Sequence, residues 1–369
     1  MHKAHAAMPD RFRRGAVAVI AATLAAATFV GCSPRYSAQS GHDEQVVPAD
    51  PKNPVHFKWS EDPKSPSLVK IADEFGLWDK ASIRPEYVGA VDSGQMPSLL
   101  GTGDITFASF MFNRSLSAVA AGVDLKVIAA QSYTTRDEPH MEYFTRADST
   151  IGPNNLKSLE GKTVSLASLK GCAEFILKDY LVKNHVDVDK VKLLTQAESQ
   201  MPQALEQGDV DLAVVHPPLN GVLRTDPALK VAFSDYNNSG EDGGSAPISA
   251  SGKFIRKYPE QTREFVGILA KVANWANAHP EEYRDMVSRL THLPKQQVTK
   301  HYFVNNLILD KQQTGFWWDL AKRVNTLTPE VAELRPEDVA TNEYNPYVKT
   351  PALIDSQTAN SKVLTDTEI

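Results

Sequence analysis

Cysteine is nearly absent: the 369 residues hold only Cys32 and Cys172. Two thiols cannot build a disulfide framework, and a Cys32–Cys172 bridge is the single pairing open to the chain. Positive charge is also in short supply, with 39 Lys and Arg against 45 Asp and Glu and a formal net charge of −6. Residues 1–31 carry +3 of their own, so the remainder stands at −9 and offers no electrostatic footprint for nucleic acid. The apolar run Gly15–Gly31, 17 residues long, is short for a stable membrane span, and a multispan membrane protein is excluded. G-x-S-x-G and H-E-x-x-H do not occur and the ten histidines are scattered, which leaves serine-hydrolase and zinc sites without support. What is present is ordinary for a globular protein, 42% hydrophobic and 23% charged residues, enough for two domain cores.

The N-terminus carries the clearest short signal. Arg11, Arg13 and Arg14 precede the Ala-rich run, which ends in Phe29-Val30-Gly31-Cys32-Ser33. Basic residues, an apolar stretch and a small residue before Cys predict an export signal over 1–31. The end of the run resembles a bacterial lipobox, whose Cys is lipidated and becomes the mature N-terminus; Phe29 stands where Leu is usual. An uncleaved helical anchor is the alternative, and both readings hold the exported body at a membrane, in the periplasm or at the cell surface. Residues 32–53 are polar with scattered Pro and Gly, a flexible tether with a reach of roughly 25 Å. With Cys32 lipidated, Cys172 has no disulfide partner.

One stretch occurs twice. Gln95–Ala108 reads QMPSLLGTGDITFA, and Gln200–Ala213, 105 residues on, reads QMPQALEQGDVDLA, with seven of fourteen positions identical. Each copy predicts a short helix with Pro in its first turn, a Gly stop and a buried strand. Two copies are too few for a solenoid and point to two similar α/β lobes with a cleft between them.

Around these copies the pattern alternates. Strands are expected over 55–59, 83–88, 125–130, 143–146, 163–167 and 191–194, separated by helical segments such as 68–75 and 173–184. Strands spaced by helices argue for a parallel sheet with covered faces. His216-Pro217-Pro218 should end its strand, since Pro cannot donate to a ladder. The run NNSGEDGG over 237–244 is read as flexible punctuation, after which the chain returns to the first lobe between about 245 and 252. Phe265, Ile268, Leu269, Val272 and Trp275 share a helix face that should pack on that lobe. The expected divisions are 54–145 plus 247–350 for the first lobe, 146–246 for the second, and a disordered tail over 351–369.

In sum of motifs, the chain resembles the periplasmic substrate-binding proteins of ABC importers. The lipoprotein signal, Leu156–Val164 (LKSLEGKTV), Ala204–Val214 (ALEQGDVDLAV) and Tyr258-Pro259-Glu260 before a long helix carry the resemblance, over about residues 55–345. The nearest subgroup is that for nitrate, sulfonate, taurine and thiamine-pyrimidine precursors. Thr106 departs from it, standing where Asp is usual in the first copy and where Asp211 stands in the second. The resemblance implies two Rossmann-like lobes joined by two crossover strands, the type II periplasmic binding fold. It also implies a small-molecule ligand, an ABC permease with its ATPase subunit as partners, no cofactor, no metal, no catalysis and a monomeric receptor.

In such lobes a ligand lies beyond the carboxyl ends of the strands, against helix starts that suit anions. The candidate contacts in the first lobe are therefore Trp59, Ser60, Glu61 and Asp62, then Ser93, Gly94 and Gln95, then Ser109, Phe110 and Met111, and Tyr133. In the second they are Ser168, Lys170, Gly171 and Cys172, Glu198 to Gln200, and His216. Each has a plainer role open to it: Trp59 as a core cap, Ser93-Gly94 as a helix cap. Ser93, Gln95, Ser168 and Lys170 favour a sulfonate or carboxylate, whereas Glu61, Asp62 and Glu198 facing inward would call for a ligand with a positive or donating group, such as taurine or an aminopyrimidine. Gly161-Lys162-Thr163 imitates a phosphate loop but has Leu156 at the required first Gly and precedes its strand. Cys172 at a helix start with His216 opposite could serve a secreted cysteine enzyme, the rival reading.

Overall fold

The computed structural model describes residues 49–244, 246–300, 302–324 and 328–355. The export signal, Cys32, most of the tether and the tail from 356 lie outside the described residues. Among the described residues no helix is long and apolar enough to cross a membrane.

Among the described residues twelve strands follow one another as β1 (Val55–Trp59), β2 (Ile83–Tyr87), β3 (Phe107–Ser109), β4 (Leu125–Ala129), β5 (Ser132–Tyr133), β6 (Glu142–Arg146), β7 (Thr163–Leu166), β8 (Lys192–Thr195), β9 (Leu212–Val215), β10 (Leu229–Ser234), β11 (Ile248–Ser251) and β12 (Tyr302–Phe303). They form two five-stranded sheets, β2-β1-β3-β11-β4 and β10-β6-β9-β7-β8, with a small β12-β5 pair beside them. In each sheet three successive strands run parallel, and one strand is inserted antiparallel at the same place: β11 between β3 and β4, β6 between β9 and β10. Each inserted strand is the first regular strand of its sheet after the chain crosses over. The boundary expected after residue 145 is thereby corrected, because β6 pairs only within the second sheet.

The duplicated stretch has the same structure twice. Met96–Thr102 and Met201–Gln207 are helices with Pro in the first turn, closed by Gly103 (φ 83°) and Gly208 (φ 77°) in the left-handed region where a Cβ is costly. Beyond them, Thr106 Oγ1 accepts the backbone N–H of Lys58 at 2.9 Å, and Asp211 accepts that of Thr163 at 2.9 Å. The Thr-for-Asp difference thus keeps one function, tying the duplicated turn to the neighbouring parallel strand.

The helix Pro259–Ala278 buries Phe265, Leu269 and Val272 against the first sheet, where Phe107 stacks on Phe265 at 3.9 Å between ring centres. Two expectations fail here. Residues 237–244 are not loose: they form two short helical turns in which Gly243 and Gly244 are buried, and a Cβ on Gly244 would fall 2.5 Å from Thr134 N on the other crossing segment. Close backbone approach, not chain freedom, explains Gly244. The stretch past Pro351 is also ordered as far as 355, with Leu353 buried and Ile354 bridged to Asp310.

Lys300 is 1% exposed; it donates to the Ala276 carbonyl at 3.0 Å, in the last turn of the long helix, and lies 4.0 Å from the centre of the Tyr302 ring. Burial pushes its ammonium down to about 8 from an ordinary 10.5, against the pull of Glu138. A lowered lysine costs stability while it stays charged, fully below pH 8, and the cost fades as pH rises from there toward 10.5. Lys300→Met is therefore expected to gain about 1–2 kcal/mol at pH 7, the lost helix-end hydrogen bond offsetting part of a larger gain. The gain should vanish by pH 10. Urea unfolding at both pH values checks this, and equal stability of the two proteins at pH 7 would refute it.

Candidate functional site

Two adjoining cavities lie along the strand ends. One of about 510 Å³ is lined by Asp62, Lys64, Ser65, Ala167, Ala197, Glu198, Ser199, His216, Pro217 and Leu219, residues contributed by both sheets. The other, about 320 Å³, is lined by Trp59, Ser60, Glu61, Ala90, Ser109, Gln131, Tyr283 and Phe303 among others, and shares Asp62 and Ser65 with the first. Nearly every lining loop follows a strand: 60–67 after β1, 90–91 after β2, Ala167 after β7, 197–199 after β8, 216–219 after β9. The carboxyl ends of the strands in both sheets thus face shared space, the place where open α/β sheets take ligands.

The loop after β1 is held by its own acids. Glu61 accepts from Trp59 Nε1 at 3.0 Å and from the backbone N–H of Ser67 at 3.0 Å, and the Ser67 hydroxyl donates to it as well. Burial raises its carboxyl above the usual range despite these bonds. Asp62 accepts from Lys64 N at 2.9 Å. Ser60 Oγ accepts from Val91 N at 2.9 Å, pinning the loop after β2. Ser109 donates to the Ala246 carbonyl at 2.7 Å with the Gln131 side chain beside it.

Of the residues predicted from sequence, Trp59, Ser60, Glu61, Asp62 and Ser109 line the smaller cavity, and Glu198 and His216 line the larger. Phe110 and Tyr133 do not line either: Phe110 is 3% exposed in the packing under the first repeat helix, and Tyr133 packs with Tyr302 at the crossing. Ser93, Gly94 and Gln95 lie before the repeat helix, outside both linings. Near them Arg114 reaches across to the second lobe, donating to Ser168 Oγ at 3.1 Å and to the Leu169 carbonyl at 3.3 Å. A Cβ on Gly94 or Gly171 would lie 3.2 or 3.5 Å from its guanidinium, so two of the predicted loops meet around this one cation. Lys170 is exposed; its backbone turns through φ 58° and its N–H donates to Glu174 at 2.6 Å. Sequence reasoning missed Arg114, Gln131, Tyr283 and Phe303. None sits in a loop after a strand of the duplicated halves except Gln131, and Arg114 faced inward only once its helix was placed.

At the inner edge of the larger cavity the second lobe gathers its reactive groups. Cys172, first residue of the helix Cys172–Lys183, has its Sγ 3.3 Å from His216 Nε2. On the other side of that ring, Nδ1 lies 2.6 Å from Glu198 Oε1, and the backbone N–H of His216 donates to Glu198 Oε2 at 3.0 Å. Burial works against charge on this imidazole, but Glu198 and Cys172 outweigh it and hold its pKa well above the ordinary value. His140, 7% exposed, packs edge-on against His216 with ring centres 4.9 Å apart. Its backbone N–H donates to Thr134 at 2.9 Å, and Thr134 in turn bonds Asp235, whose carboxyl burial raises to about 7. The pairing of Cys172 with His216 was foreseen; Glu198 as the group that orients the ring, and His140 beside it, were not.

The family description NMT1/THI5 like matches residues 68–283, more than half of the chain, and the protein belongs to that family. Its fold is that of type II periplasmic binding proteins. It is similar to the alkanesulfonate-binding protein SsuA from Xanthomonas axonopodis pv. citri bound to MOPS, with TM-score 0.61, 14% identity, and coverage of 75% of this chain and 96% of that one. It is similar also to the periplasmic nitrate-binding protein NrtA from Synechocystis PCC 6803, with TM-score 0.62, 10% identity, and coverage of 79% and 87%. DSZB, an enzyme, solved with biphenyl-2-sulfinic acid, shares the fold at TM-score 0.56 and 16% identity over 78% of this chain and 97% of that one. At these identities the likeness is one of fold.

Proposed function

We propose that the protein is the substrate-binding component of an ABC importer, which captures a small polar ligand of sulfonate, taurine or nitrate type between its lobes and delivers it to the permease. The observation that carries this reading is the lining of the larger cavity by strand-end loops of both sheets, from Asp62 to Leu219. Two lobes tied by crossing segments can close on such a space by hinge motion. The lining sets Asp62 and Glu198 against Lys64 and His216, with Glu61 next door. A zwitterion such as taurine, able to pair with both signs, suits it better than a bare anion. A second reading, an aminopyrimidine or other aromatic amine, is favoured by the rings of Trp59, Tyr283 and Phe303 in the smaller cavity. In either case the receptor is exported, held at the membrane through lipidated Cys32, and acts as a monomer without turnover.

A thermal-shift screen with taurine, alkanesulfonates, nitrate, aminopyrimidines and amino acids tests the reading. A ligand at a hundred times its Kd should add about 2.7 kcal/mol of stability, a rise of several degrees in Tm. Stabilisation by taurine or an alkanesulfonate supports the first reading and by an aminopyrimidine the second; no stabilisation by any compound of these classes overturns both.

A further inference from the structure

We propose that His140, Cys172 and His216 form a binding site for a single thiophilic divalent cation, Zn2+ in type, at the edge of the larger cavity. One ligand atom from each of the three residues lies within 4.8 Å of the others. A tetrahedral Zn2+ held by one thiolate and two imidazoles spaces its ligand atoms roughly 3.3–3.6 Å apart. Cys172 Sγ and His216 Nε2 already stand at 3.3 Å, so closure on an ion asks only for His140 to draw in by about 1 Å.

The supporting groups are those such a site needs. A histidine ligand is aimed by what its other ring nitrogen bonds, most often a carboxylate. Glu198 takes that place, 2.6 Å from His216 Nδ1, and is itself held by the backbone N–H of the same residue at 3.0 Å. The ring is thus fixed with Nε2 toward the thiol. The scaffold is equally firm. β6 and β9 are antiparallel neighbours with Glu142 opposite Val215, which puts His140, two residues before Glu142, beside His216 one residue past Val215. Cys172 starts the helix that follows β7, the strand on the other side of β9. All three ligands therefore sit at one edge of three adjacent strands, a long way apart in sequence and close in space by topology alone.

Three protein ligands leave a fourth position on a tetrahedral ion for water or a donor atom of a bound molecule. His216 also lines the larger cavity, so that position opens toward the space where the small ligand is proposed to lie. The site does not depend on the identity of that ligand, and it stands or falls with the metal alone.

The test is a titration of the untagged protein with Co2+, which takes the same tetrahedral geometry and reports its ligands by colour, followed by Zn2+ in competition with a chromophoric chelator, no organic ligand being present. The expected result is one ion per chain, visible bands of tetrahedral Co2+ and a near-ultraviolet thiolate-to-metal band. Cys172→Ser should abolish the thiolate band, even where Cys32 remains as a second thiol. Glu198→Gln should keep the band and weaken Zn2+ about 10- to 100-fold, as loss of an orienting partner does. The absence of the band at equimolar Co2+, or its survival in Cys172→Ser, overturns the proposal. Cooperative thermal unfolding of each variant shows that the fold is retained, and failure here leaves the outcome of the ligand screen untouched.

Discussion

Trp317→Ala should lower Tm by roughly 4–8 °C, the counterpart of about 3–5 kcal/mol for emptying a fully buried indole in a chain of this size. Trp317 has no exposed surface and is among the largest side chains buried in the protein. It belongs to the helix Lys311–Arg323, which packs on Phe112–Ala120 of the first lobe and on Cys172–Lys183 of the second. Around it lies one continuous apolar cluster that runs from Met111, Phe112 and Leu116 to Phe175, Ile176 and Leu177. The cavity left by alanine would open between the lobes, where neither has enough of its own core to collapse into the gap. Trp317→Phe separates volume from polarity. The indole N–H has no hydrogen-bond partner among the described residues, so phenylalanine loses no bond and should cost less than about 1.5 kcal/mol. Differential scanning calorimetry of the three proteins decides the matter; an alanine variant within about 2 °C of the parent, half of the smallest drop expected, would show that the helix does not clamp the lobes.

The double α/β architecture was legible because its signals are local. A Pro-started helix closed by a left-handed Gly and followed by a buried strand is written within fourteen residues, and both copies fold as written. The deeper likeness was not legible. Both sheets share one plan, in which the antiparallel fourth member is a strand that has just arrived from the other half, β6 in one and β11 in the other. Neither strand's pairing is encoded next to it. β6 reads as an ordinary apolar segment trailing the first lobe, and only its register against β9 and β10 assigns it. The Gly-rich run before β11 misled for a related reason. Gly244 admits the backbone of the other crossing segment, a contact more than a hundred residues away in sequence.

The candidate site divides along the same line. Loops after strands could be named from the alternation, and Trp59, Ser60, Asp62, Glu198 and His216 do line the cavities. Phe110 and Tyr133 obey the same rule and yet turn into the packing, since a residue at a strand end has two sides to face and only the surrounding apolar volume decides which. Histidines scattered through the sequence gave no metal spacing, but the antiparallel register of β6 with β9 sets two of them ring to ring. A ligand set assembled by topology leaves no motif in the chain.

The seam on the far side of the crossing makes the last prediction. Gly221, in the short helix Asn220–Arg224, has no unusual φ; its constraint is space. A Cβ there would overlap the Gln297 carbonyl oxygen and come within 2.6 Å of the Gln297 carbonyl carbon and 3.2 Å of Thr299 Cγ2. The two Gln297 atoms are backbone and cannot rotate out of the way. Gly221→Ala must therefore part the helix from residues 297–299. Parting them strands Asn220, which is fully buried, donates to Glu142 at 2.9 Å and accepts from Thr299. An unsatisfied buried polar group costs about 1–3 kcal/mol, and at least two are exposed to that loss here. The expected result is a destabilisation of at least about 3 kcal/mol, or no soluble protein at all. Gly315→Ala supplies the control. That glycine is inside the helix Lys311–Arg323 with nothing within 4 Å of a new Cβ, so the same substitution should stabilise by about 0.5–1 kcal/mol through helix propensity. Chemical unfolding of the pair should thus move in opposite directions. Equal, small effects of the two would mean that the seam yields freely; opposite signs make the contact of the short helix with residues 297–299 a rigid one.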